Sequence, residues 1–134
     1  MNQVIPAARP RWTVQQFIDF WANPDFDLPS DELDPAVQGY WPGCREPLPG
    51  IARYAAPLRI LLRHVPDFRL ELADHADTGE VIFIRWIAHG TWRGQPLRMS
   101  GVDCIRQRDG RVVENRIFCR HPLIDTVIAE AGIV

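Results

Sequence analysis

From Phe68 to Arg120 the chain is almost entirely long segments of period-two alternation, and that run limits the fold more than any other feature. It divides into about Phe68–His75, Val81–Trp92, Leu97–Arg108 and Arg111–Arg120, separated by Asp77-Thr78-Gly79, Arg93-Gly94 and Asp109-Gly110. Short Asp- and Gly-bearing connections suit the positive φ of tight hairpins, so these segments are predicted to be antiparallel neighbours. Alternation puts Met99, Gly101, Asp103 and Ile105 on one face of the third segment, and Ser100, Val102, Cys104 and Arg106 on the other.

Helical signals lie ahead of this run. Thr13 with Gln16 makes a capping box, and Val14, Phe17, Ile18 and Trp21 follow as an apolar stripe that Asn23-Pro24 stops. A short acidic turn, capped by Ser30, is expected between Pro29 and Pro35. Ala36–Trp41 has strand character, and Cys44–Gly50 reads as a loop. A second helix is expected over about Ile51–His64, with Leu58, Leu61, Leu62 and Val65 inward and Pro57 kinking or splitting it. Pro122–Ala131 has a helical pattern, and residues 1–11 read as a loose lead-in. Helices followed by a run of strands is the α+β signature. The whole chain, residues 1–134, is read as one domain, with a curved sheet and early helices closing a cone-shaped pocket.

Asp103 is the one acid set among apolar neighbours on the inward face. A buried carboxylate is costly unless it is hydrogen-bonded or works as a proton donor or acceptor. Other chemistry is excluded by composition. The chain has no lysine, which removes Schiff-base chemistry and a Walker A loop. Its two serines, Ser30 and Ser100, lie in no nucleophile elbow. A net charge of −2 gives no field for nucleic acid, and no apolar run approaches membrane-spanning length. Cys44, Cys104 and Cys119 show no paired spacing and read as reduced thiols of a cytoplasmic protein. The four histidines show no ligand spacing, so neither a metal nor a cofactor is expected.

The motifs YWPG (Tyr40–Gly43), PLPG (Pro47–Gly50), VPDFRLEL (Val65–Leu72), VIFIRWIAHGT (Val81–Thr91) and SGVDCIRQRDGRVVENR (Ser100–Arg116) resemble the nuclear transport factor 2-like superfamily, in particular its SnoaL-like branch. The resemblance spans about residues 13–120. It implies a cystatin-like α+β barrel, a small and fairly apolar ligand, and often a homodimer. Members range from polyketide cyclases and ketosteroid isomerases to non-catalytic modules, so fold does not choose among them. Against the ketosteroid isomerase pattern, Val102-Asp103-Cys104-Ile105-Arg106 matches the strand whose protonated aspartic acid donates to the substrate oxyanion. The tyrosine of the first helix falls on Phe17, and the base before a proline falls on Trp41. Steroid isomerisation by that mechanism is therefore not expected. In the SnoaL-like branch the acid–base residue sits near the end of the last strand, where Phe118-Cys119-Arg120-His121 offers no acid.

The resemblance thus leaves two classes of function. One is a cofactor-independent isomerase, cyclase or lyase with Asp103 as acid or base. The other is a non-catalytic ligand-binding or dimerising module. In the first, Asn115 orients the substrate, while Trp41, Trp86, Tyr40, Tyr54, Phe17 and Met99 line the pocket. Trp86 can equally be core filler, and Trp41 either a wall or a plug. Trp12 and Trp21 are assigned to packing of the first helix. His75 and His121 are candidates for the cavity rim, and Phe83, Ile87 and His89 for a subunit contact.

Overall fold

The computed structural model describes residues 9–133, so most of the lead-in read at residues 1–11 lies outside the described residues. Three helices, α1 (Val14–Ala22), α2 (Ile51–His64) and α3 (Pro122–Glu130), pack around one six-stranded sheet. Its strands are β1 (Leu33–Tyr40), β2 (Leu48–Pro49), β3 (Arg69–Asp77), β4 (Val81–Trp92), β5 (Gln95–Arg108) and β6 (Arg111–Cys119). The spatial order is β2-β1-β6-β5-β4-β3, antiparallel throughout except where β1 runs parallel to β6. The sheet is curled but not closed, since β2 and β3 remain edges. Register shifts at Leu72/Asp74, Arg106/Gln107 and Leu33/Gln38 account for the curl, because each bulge adds local twist and bend.

The hairpins follow their turn chemistry. Arg93-Gly94 and Asp109-Gly110 take positive φ at both residues, 52° and 75° in the first and 54° and 77° in the second. That geometry matches the right-handed twist of the flanking strands. Along β4 the inward side chains Ile82, Ile84, Trp86 and Ala88 are buried, while Phe83 and Arg85 on the other face are exposed.

Helix α1 starts where the capping box requires. Gln16 Oε1 accepts the Thr13 backbone N–H at 2.9 Å, and the Thr13 hydroxyl faces the first turn. Thr13→Ala should cost about 1 kcal/mol, read as a lower urea midpoint with an unchanged slope. Ahead of it, Arg11 makes a two-pronged pair with Asp77 at 2.7 and 2.9 Å, tying the N-terminal segment to the β3–β4 turn.

Three local expectations are corrected. Pro57 does not split α2, which runs unbroken over Ile51–His64 with Pro57 buried in the core. A proline there removes one intrahelical bond, and burial of the ring with Leu58, Leu61 and Leu62 on the same helix offsets that loss. Ser30 does not cap its turn but begins a 3₁₀ turn, Ser30–Glu32, that no side chain caps. The Cys44–Gly50 segment is not all loop, because Leu48 and Pro49 pair with Gly39 and Gln38.

Candidate functional site

Asp103 sits near the middle of β5 on the concave face and is only 4% exposed. Its partners come from both neighbouring strands. On β4, Trp86 lies opposite Gly101, and its indole N–H crosses that glycine to donate to Asp103 Oδ1 at 2.9 Å. A side chain at Gly101 would collide with the indole and lie 2.7 Å from the Phe118 carbonyl oxygen. On β6, Asn115 pairs with Ile105, which sets it diagonally across from Asp103 on the same face. Its amide Nδ2 donates to Asp103 Oδ2 at 3.0 Å and to the Tyr54 hydroxyl at 2.7 Å. The carboxylate fixes this amide orientation, since the reverse would set Oδ1 against a negative oxygen.

Burial pushes the Asp103 carboxyl up from 3.8 to about 6, against the opposing pull of the Asn115 and Trp86 hydrogen bonds. Removal from water therefore outweighs two good donors, and the group changes charge close to neutral pH. Tyr54 is raised from the ordinary phenol range, by burial first and by the Asp103 charge second, so it remains a donor. Cys119 is pushed up to about 12, mainly by burial, which leaves an inert thiol. Asn115, 3% exposed, keeps one polar atom without a partner: the acceptor Oδ1. An unmade buried bond of this kind costs about 1–3 kcal/mol and marks a place for a ligand or water.

These groups open on a cavity of about 70 Å³. Phe17, Trp41, Tyr54, Leu58, Asp103 and Asn115 form its buried interior. Gln16, Phe20, Trp21, Leu28, Pro29 and Glu32, all half-buried, form its rim. A second hollow of about 30 Å³, lined in part by Trp86, Met99 and Cys119, shares Trp21, Trp41, Asp103 and Ile117 with the first. Trp41 is thus a wall between two hollows, held by an indole N–H bond to the Tyr54 carbonyl oxygen at 2.9 Å.

Gly39 of β1 decides where Tyr54 can lie, because a Cβ at that position would collide with the Tyr54 ring at Cδ1. Gly39→Ala should cost about 1–3 kcal/mol through overpacking, measured by urea denaturation. It should also displace the phenol from Asn115, visible as a changed near-ultraviolet circular dichroism spectrum.

Several positions differ from the sequence reading. Tyr40 lies outside the Asp103 cavity, because alternation along β1 turns it into an open groove with its ring 4.0 Å beneath the Arg116 guanidinium. His121 caps α3, its Nδ1 accepting the Leu123 N–H at 3.0 Å, instead of reaching the rim. His75 is exposed on β3. His89, by contrast, faces outward as alternation expects, and contacts Glu71 at 2.9 Å. Trp12 and Trp21 do more than pack α1, since both line the cavity. Glu32 was missed altogether: it ends a 3₁₀ turn with no periodic signal, yet its carboxylate lines the rim. Burial raises it, as does Asp31, while a Trp12 hydrogen bond favours the charged form.

No curated protein matches this chain. Among solved structures, IdmH, a proposed polyketide cyclase from Streptomyces antibioticus, is similar at 19% identity with a TM-score of 0.71, covering 87% of this chain and 95% of its own. A steroid delta-isomerase from Pseudomonas aeruginosa shares 19% identity at a TM-score of 0.65, over 89% of this chain and 85% of its own. A protein of ketosteroid isomerase-like fold from Catenulispora acidiphila, in complex with trimethylamine, shares 10% identity at a TM-score of 0.69, over 90% of this chain and 92% of its own. At these identities the likeness shows the fold. The SnoaL-like polyketide cyclase family model matches residues 12–120, where the curled sheet, helices α1 and α2 and the buried acid all lie, and the chain belongs to that family.

Proposed function

We propose that this chain is a cofactor-independent acid–base enzyme of isomerase, cyclase or lyase type, acting on a small, fairly apolar carbonyl compound. One observation carries the reading: a titratable carboxyl, raised to about 6, on the wall of an apolar cavity. Such a group can take and return a proton near neutral pH. Asp103 would remove a proton beside the carbonyl. Tyr54, whose oxygen already accepts from Asn115, has its own O–H free to donate to the carbonyl oxygen. Asn115 holds both in place. The enclosed space is well below the roughly 300–1,000 Å³ of drug-sized sites, which favours a substrate of few heavy atoms.

The test is exchange of carbonyl α-protons. Small cyclic ketones and 1,3-diketones, incubated with the protein in deuterated buffer, should lose their α-proton signals faster than in buffer alone. The rate should climb through about pH 6 as Asp103 ionises. Exchange no faster than buffer across the panel would favour the alternative, a non-catalytic ligand-binding module.

Two further readings go with this one. Phe83, 45% exposed, sits beside Cys104 across β4–β5, and Phe118, 59% exposed, sits beside Val102 across β5–β6. These exposed aromatic side chains support a sheet-to-sheet homodimer, and light scattering should give twice the chain mass of 15.4 kDa. A Phe83→Glu substitution should return it to one copy. Three unbridged cysteines support a reducing, cytoplasmic setting. Among the described residues, no helix is long and apolar enough to cross a membrane.

A further inference from the structure

The cavity has a one-sided electrical character. Among the described residues that line it, two are carboxylates, Asp103 and Glu32, and none is arginine or histidine. Asp19 and Asp31 add negative potential at Glu32. Arg9, whose charge opposes that effect at Glu32, is turned to the Asp31 carbonyl oxygen at 2.5 Å and does not line the cavity. A carboxylate or phosphate on the ligand would meet like charge with no cationic side chain lining the cavity to neutralise it.

The rim surrounding Glu32 is aromatic. Phe20 and Trp21 line the opening and meet edge to face at 5.0 Å, and Trp12 lies buried behind it on the same cavity wall, hydrogen-bonded to Glu32. Aromatic rings beside a carboxylate make the environment that alkylated ammonium groups prefer over water. That a ligand belongs in this cavity is indicated independently by Asn115 Oδ1, buried on its inner wall with no partner.

We infer that the substrate carries an alkylammonium group, held at the rim between Glu32 and the indoles of Trp12 and Trp21, while its uncharged reacting end lies against Asp103 and Tyr54. This assigns the substrate class within the acid–base reading and rests on it for the second half of the statement. Glu32 is a binding group here and takes no proton from the substrate.

The experiment uses choline, its neutral isostere 3,3-dimethyl-1-butanol and the anion 3,3-dimethylbutyrate, each titrated against the tryptophan emission of the whole chain. Choline should bind about tenfold more tightly than the alcohol, and the anion more weakly than either. Glu32→Gln should cut choline affinity about fivefold and leave the alcohol unchanged. Equal binding of choline and the alcohol would overturn the inference, as would a Glu32→Gln variant that weakens both alike. Asp103→Asn separates the two readings. It should keep a Glu32-dependent preference for choline while losing proton exchange, so failure of the cation preference and failure of the acid–base step give different results.

Discussion

Asp103→Asn is expected to slow proton exchange by about 10²–10⁴-fold while removing the loss of stability that the parent suffers as pH rises through about 6. Both effects come from one cause, the removal of an ionisable group from a dry wall. In the folded protein the carboxyl titrates near 6, against 3.8 for the free group. Because the folded value is the higher one, folding favours the protonated form. The stabilisation is complete below 3.8 and is lost as pH rises through about 6. That loss amounts to about 3 kcal/mol by neutral pH.

Asparagine has no such loss. It keeps an acceptor for the Trp86 indole but sets an amide N–H₂ against Asn115 Nδ2, which costs about 1–3 kcal/mol. Urea denaturation should therefore show the variant less stable than the parent near pH 4, with the difference shrinking or reversing by pH 8. A difference that does not change with pH would show that Asp103 is not raised by burial. Exchange at the parent rate, with the pH-dependent stability present, would make Asp103 a structural acid and remove its catalytic role.

Most of the strand order was legible because period-two alternation and Gly-bearing turns are local signals. The inward direction of Asp103 followed from counting residues along β5. What could not be read depended on where separate segments meet. Tyr54 was placed as a pocket wall, but its hydrogen bond with Asn115, 61 residues away, exists only because Gly39 lets α2 approach β1. Glu32 belongs to a three-residue turn, too short for any periodicity to show its direction. Trp12 and Trp21 look like ordinary helix packing from sequence because the apolar stripe of α1 faces a hollow instead of a filled core. Pro57 looked like a break because sequence rules weigh one lost hydrogen bond and cannot weigh the burial of its ring.

Tyr54→Phe is expected to lower kcat by about 10²–10³-fold with little change in KM. A donor aimed at a carbonyl oxygen contributes most when negative charge builds there, so its loss falls on the transition state more than on binding. The hydroxyl is positioned by the 2.7 Å bond from Asn115, and burial together with the Asp103 charge keeps it protonated. It therefore supplies the donor that Phe17 cannot, from a different helix. Loss of the hydroxyl should cost stability only about 1 kcal/mol, since Asn115 Nδ2 retains its 3.0 Å bond to Asp103. The discriminating measurement is the split between kcat and KM in α-proton exchange. A rise in KM with kcat unchanged would make Tyr54 a wall of the pocket, and Asp103 would then act without a partner at the carbonyl oxygen.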